Sequence, residues 1–341
     1  MIFFAFPVWF LRGSAKTTEV ESVGLQPTGG VSGADLRPVN IGRIWRGRGL
    51  RRERWLGYLF VAPMLLFLCG IIFFPLAHAF VTSLYREAGV TIRFVGARNY
   101  TRLLDDAAFW NSLRVSLVFT AASVGLHLAI ALPVALFLNQ LRRGRTAIRL
   151  AFLTPWMVTP VIGAIAWVWL LDPHFGVANH LLRSVGLIAA NKVWLGEPGL
   201  ALGSIVAVDV WRGFPFVMLI LLAGLQTVPK EEYEAASIDG AGALQRFRFV
   251  TLPHLRYLLV VATTLDVINT IRTFDIVAVM TRGGPVNATE VLPVLIFNTA
   301  FQANRFGPAA AIGVMLLALL LVFSTLYALV LQPERSGAAE R

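Results

Sequence analysis

The chain has 341 residues, 57% hydrophobic and only 14% charged, with a mean hydropathy of +0.69. A soluble domain of this size carries about a quarter charged residues; too few are present here to coat a soluble surface, so lipid must cover much of it. The net charge of +11 raises nucleic acid as a partner, but the basic residues sit in short loops between apolar runs, a pattern of membrane topology and not of a phosphate-binding stripe.

The single cysteine, Cys69, lies in an apolar run, which excludes an intrachain disulfide and a cysteine metal cluster. Residues 1–55 form a basic tail expected to be disordered and cytoplasmic. Its first eleven residues are apolar but too short to span and lack a preceding basic region, a poor signal peptide. Residues 13–41 are rich in Gly, Ser, Thr and Val without periodicity. Arg43, Arg46, Arg48, Arg51, Arg52 and Arg54 then read as a topology anchor or as an attraction to anionic lipid.

Six stretches follow that are long and apolar enough to cross a hydrocarbon core, at about 57–84, 112–140, 147–171, 200–227, 257–280 and 308–331. Each must be helical, because a segment in lipid has to satisfy its own backbone groups. Pro63, Pro75, Pro133, Pro155, Pro160 and Pro215 predict kinks. With the N-terminus inside, 19 of the 30 Lys and Arg residues fall on the cytoplasmic side and 8 on the outer side. That bias puts both termini in the cytoplasm. The expected fold is all-α: a polytopic six-helix bundle over 56–332, with a short cytoplasmic tail at 333–341.

The loop at 229–253, between spans four and five, has a pattern of its own. Pro229 stands where a helix can start, and Glu231, Glu232 and Glu234 fill its first turn, favourable at a positive dipole end. Ala235, Ala236 and Ser237 are small enough to let another surface approach. Asp239-Gly240 is a turn signal. Leu244, Phe247 and Val250 then recur at helical spacing, and Leu252-Pro253 is read as the end of that helix. A short helix-turn-helix outside the membrane is predicted.

Glu234-Ala235-Ala236, three residues, Gly240, then Val250 two before Leu252-Pro253 resembles the EAA loop of ABC importer permeases. Val250 stands where that pattern usually has Ile. The other reading is an ordinary amphipathic connector. Further matches narrow the resemblance to the maltose/glycerol-phosphate class: Phe94-Val95-Gly96, Asn99-Tyr100, Phe109-Trp110-Asn111-Ser112-Leu113, Asp172-Pro173, Phe175-Gly176, Asn179, Trp211 to Phe216, Ala223 to Gln226, and Thr281-Arg282-Gly283-Gly284-Pro285. Arg282 departs from the Gly more usual there. The resemblance covers roughly 55–332.

It implies a type I permease subunit in a bacterial or archaeal cytoplasmic (inner) membrane, carrying an oligosaccharide, disaccharide, polyol or glycerol phosphate. The implied partners are a second permease in a heterodimer, two ATP-binding subunits, an extracytoplasmic solute-binding protein and membrane lipid. Coupling to the ATPase falls by position on Glu234, Ala235, Ala236, Asp239, Gly240, Leu252 and Pro253. No G-x-x-x-x-G-K-[ST] loop occurs, so ATP and Mg are expected on the partner ATPase, with no catalysis and no cofactor in this chain.

Charges within spans are costly and default to a functional hypothesis. Asp209 and Arg212 in span four, and Arg272 and Asp275 in span five, are spaced to pair along one helix. As a solute pathway, Asn269, Arg272 and Asp275 would hydrogen-bond hydroxyls while Trp167 or Trp211 stacks on a sugar ring; alternatively these groups hold helices together. His127 reads as a packed or helix-bridging histidine. Two rivals stand: a permease for a non-sugar solute, and an ion-driven secondary transporter, whose inverted repeats are not seen.

Overall fold

A computed structural model describes residues 50–88, 91–141 and 143–331. Among these residues five helices are long and apolar enough to cross a membrane, and six spans result when one bent pair is taken together. Of the tail expected at 1–55, residues 1–49 lie outside the described residues, as does the tail expected at 333–341. The first helix, α1 (Leu50–Leu68), begins earlier than 56. Arg51, Arg52, Glu53 and Arg54 are good helix formers, so they join the helix and not the tail.

The chain divides into two units, Met1–Pro63 and Met64–Arg341. In the second, the last residues of α1 pass through a π turn at Cys69–Phe73 into α2 (Phe74–Ser83). A hairpin follows, β1 (Tyr85–Ala88) and β2 (Thr91–Phe94), with Tyr85 opposite Phe94 and Arg86 opposite Arg93. It is a small addition to an otherwise helical fold, in a segment expected to be loop. Then come α3 (Arg98–Leu104) and α4 (Ala107–Gln140), the latter capped by Asp106 Oδ1, which accepts the Ala108 N–H at 2.9 Å.

Span three is α5 (Arg145–Met157) and α6 (Pro160–Leu170), meeting at 91°. Pro155 removes one ladder donor, and Thr159, which precedes Pro160, takes an extended backbone. Leu153 of α5 sits in one core cluster with Leu138 and Leu221. Ala164 of α6 sits in another with Phe119 and Ile205. The bent pair therefore runs from one end of the bundle to the other. Pro133 and Pro215 leave α4 and α8 (Pro198–Leu225) continuous, so only one of the expected kinks breaks a span outright. A short α7 (Val177–Ser184) lies between spans three and four.

α4 and α8 make the most extensive helix contact, running parallel, since the start of each contributes to one core cluster and the end of each to the other. After α9 (Lys230–Ile238) and α10 (Ala243–Arg246), a π turn at Phe247–Thr251 leads into α11 (Leu252–Ile271). Leu252-Pro253 thus begins a helix instead of ending one. A proline lacks the N–H for the carbonyl four residues back and clashes with it. The widened turn just before Pro253 absorbs that defect, as the turn at Cys69–Phe73 does before Pro75. Helix therefore continues from Ala243 to Met280 with one irregular step before α12 (Asp275–Met280). α13 (Leu292–Phe297) and α14 (Phe306–Leu331) complete the described residues, and α14 packs on α2 and α3.

Candidate functional site

The segment from 229 onward is built around the exit of α9. Gly240 takes φ +79°, a left-handed conformation a β-carbon disfavours. The Gly240 N–H donates to Ser237 O at 3.1 Å and the Ala241 N–H to Ala236 O at 2.9 Å, the pair of bonds of a Schellman stop. Asp239 is the last residue before the turn, its N–H bonded to Ala235 O at 3.0 Å.

Three side-chain contacts tie α9 to the helix that follows. Tyr233 Oη meets Thr251 Oγ1 at 2.8 Å, Arg246 Nη1 donates to Ser237 Oγ at 3.0 Å, and Glu232 Oε1 lies 3.3 Å from His254 Nε2. The His254 Nδ1 faces Val250 O at 2.8 Å, within the π turn. α9 is thereby fixed to the start of span five. Glu234, Ala235, Asp239, Gly240, Leu252 and Pro253 are exposed and Ala236 is half-buried. Beside them Ile238, Leu244 and Phe249 are 87%, 78% and 71% exposed. Large apolar side chains this bare, among glutamates and arginines, form a surface suited to a protein partner.

The second feature is a polar knot in the bundle. His127 of α4 is buried, and its Nδ1 lies 2.8 Å from Asp266 Oδ2 of α11. Its Nε2 lies 3.2 Å from the Asp209 carbonyl and 3.7 Å from Asp209 Oδ2 on α8. All three side chains are buried, so one imidazole joins three spans, the helix-bridging role expected of it. A β-carbon at Gly213 would collide with that ring, which explains why the position carries none.

The two pairs expected from sequence do not close into ion pairs. Asp209 turns to His127, and the buried Arg212 Nε has no partner among the described residues. Arg272 and Asp275 lose their helical register because α11 ends at Ile271 and α12 begins only at Asp275. Both are exposed, Asn269 is half-buried, and no side-chain hydrogen bond engages any of the three among the described residues. Trp167 and Trp211 do come together, edge to face at 5.7 Å.

Several matched residues are structural. Asn99 donates to Ser83 O and Tyr85 O, each at 2.7 Å, closing the end of span one. Asn179 accepts the Trp194 Nε1–H at 3.0 Å and the Lys192 N–H at 3.1 Å, closing the loop after α7. One buried group escaped sequence reasoning: Glu290, whose carboxylate accepts Ser112 Oγ–H at 3.3 Å and Asn298 Nδ2–H at 3.0 Å. Its partners lie on separate elements, so no local spacing marks it. Among the described residues no group of three or more His, Cys, Asp or Glu side chains is arranged to hold a metal.

Residues 127–334 match the family described as binding-protein-dependent transport system inner membrane component. The chain is 40% identical over 278 residues to the trehalose/maltose transport system permease protein MalF of Thermococcus litoralis, covering 81% of this chain and 93% of that protein. It is 32% identical to the sulfoquinovosyl glycerol transport system permease protein SmoG of Agrobacterium fabrum, covering 81% and 90%. The fold is shared with a chain from the crystal structure of a bacterial ABC transporter that imports the acidic polysaccharide alginate, at TM-score 0.73 and 20% identity, over 85% of this chain and 98% of that one. The chain belongs to the inner membrane components of binding-protein-dependent transport systems, the non-catalytic permease subunits of ABC importers.

Proposed function

We infer that this permease carries a carbohydrate into the cytoplasm, and that it takes its driving motion from a separate ATPase through α9. The observation that carries the coupling reading is mechanical. α9 is pinned by Tyr233, Glu232 and Ser237 to a helix that runs on as span five, and its neighbourhood exposes Ile238, Leu244 and Phe249. A partner gripping that surface moves span five with it. Asp266 lies on the same helix, so the motion reaches α4 and α8 through His127.

Two ATP-binding subunits would close on ATP and draw the bundle from inward- to outward-facing. They can do so only if the closed ATPase favours the outward state differentially. ATP and Mg reside on those subunits. An extracytoplasmic binding protein would deliver the solute, and a second permease would supply the other half of the pathway. Both termini lie in the cytoplasm in this arrangement, so the loop at 229–253 is cytoplasmic. The carbohydrate reading is supported by relatives whose names state trehalose/maltose and sulfoquinovosyl glycerol transport. Trp167 and Trp211 offer aromatic faces for a sugar ring, and Asn269, Arg272 and Asp275 offer unengaged polar groups for its hydroxyls.

The test is transport in proteoliposomes holding the full assembly. With Glu234→Lys, the permease should insert normally but lose both uptake and solute-stimulated ATP hydrolysis. Full uptake in that variant would remove the coupling role from α9.

A further inference from the structure

At the end of the bundle where span one finishes, three arginines from separate segments line one cavity of about 80 Å³: Arg86 on β1, Arg102 on α3 and Arg305 just before α14. We propose that this cavity holds the phosphate of an anionic phospholipid. The proposal does not depend on which solute is carried or on how ATP hydrolysis is coupled.

Charge is the first argument. None of the three guanidiniums forms an ion pair among the described residues. Asp106 also lines the cavity, but its Oδ1 is occupied by the Ala108 N–H at the start of α4. Glu87, which does not line the cavity, accepts the Gly307 N–H at 3.1 and 3.2 Å. Cations therefore outnumber carboxylates three to one around the cavity. The hairpin register adds strain of the same sign, because Arg86 stands directly opposite Arg93, and like charges so placed repel. A bound anion relieves both conditions.

Size and chemistry select the ligand. A cavity of this volume has room for a small oxyanion such as a phosphate group. Planar guanidiniums are the side chains best matched to phosphate oxygens. The cavity floor is apolar and fixed, since Leu103 and Ile312 belong to a core cluster. Leu104, Trp110, Phe301 and Phe306, next to the cavity residues in sequence or space, are exposed. Trp110 donates its indole N–H to Leu104 O at 2.8 Å, the arrangement of an interfacial aromatic with one wet and one apolar end. Cations above and bare apolar side chains around suit an amphiphile with a charged head.

The experiment is native mass spectrometry of the full-length protein, with any subunits that purify with it, in mild detergent. Phosphatidylglycerol and phosphatidylcholine of equal chain length are titrated against each other. The wild type should retain phosphatidylglycerol with roughly tenfold preference, and Arg86→Gln/Arg102→Gln/Arg305→Gln should lose it. An unchanged preference in that variant overturns the proposal. So does a phosphate adduct formed with inorganic phosphate alone, without any lipid preference, which would identify a free-anion site. Loss of captured solute-binding protein at unchanged lipid preference would assign the arginines to docking and overturn it as well. If the triple variant does not fold, the wild type still decides: its preference must weaken as salt rises, and a salt-independent one contradicts the proposal.

Discussion

His127 Nδ1 and Asp266 Oδ2 lie 2.8 Å apart across α4 and α11, with Asp209 on α8 against the other ring nitrogen. The three residues are 82 and 139 positions from one another along the chain as counted from His127, so the contact is a product of the folded bundle. Removing the imidazole leaves two buried carboxylates with no partner between them. His127→Leu should therefore cost about 3 kcal/mol, whereas Asp266→Leu, which leaves His127 beside Asp209, should cost less. Thermal unfolding of the purified variants in one detergent gives the order. A smaller loss for His127→Leu than for Asp266→Leu would show that the imidazole does not hold the knot together.

Gly213 tests the same knot from the other side. A β-carbon there would strike the His127 ring, whereas one at Gly203, ten residues earlier on α8, would meet nothing within 4 Å. Gly213→Ala should lower the melting temperature and reduce uptake, because overpacking displaces the ring at a cost of about 1–3 kcal/mol. Gly203→Ala should leave both unchanged. Equal behaviour of the two would mean the ring yields without effect.

Glu290 anchors the segment after span five through Ser112 on α4 and Asn298. In Glu290→Gln one carboxylate oxygen becomes an amide N–H₂, which cannot accept from a donor. A loss of about 1 kcal/mol and faster amide hydrogen exchange over 281–292 are expected. Glu290→Leu should lose more, since both donors are stranded. Exchange unchanged in both variants would contradict the anchoring role.

Gly240 carries the left-handed turn that ends α9. Gly240→Val should strain that turn by about 1–2 kcal/mol and reduce uptake, while the spans, which lie elsewhere, keep their stability. Parallel uptake and unfolding measurements separate the two effects. A variant with normal uptake would show that the turn geometry is not needed for transport.

Spans were legible because a hydrocarbon core demands an unbroken apolar run, and the 229–253 loop because its turn and helix signals are local. The bend between Met157 and Pro160 was legible as a kink, though two prolines five residues apart do not announce 91°. The continuation of helix through Leu252-Pro253 was missed because a π turn has no sequence mark of its own. Pairing of Asp209 with Arg212 was overestimated: i, i+3 spacing permits a contact but cannot weigh it against a histidine from another span. The hairpin was missed because its strands are only four residues each, too short for alternation to show. Glu290 and the three arginines converge from distant segments, which spacing along the chain cannot reveal.

The most direct measurement is an affinity pull-down of the tagged full-length chain in mild detergent, with partners identified by mass and assayed for ATP hydrolysis. Wild type should bring down an ATPase and a second membrane subunit. Glu234→Lys should keep the membrane subunit and lose the ATPase. Recovery of the chain without an ATPase, its 229–253 segment intact, would contradict the account.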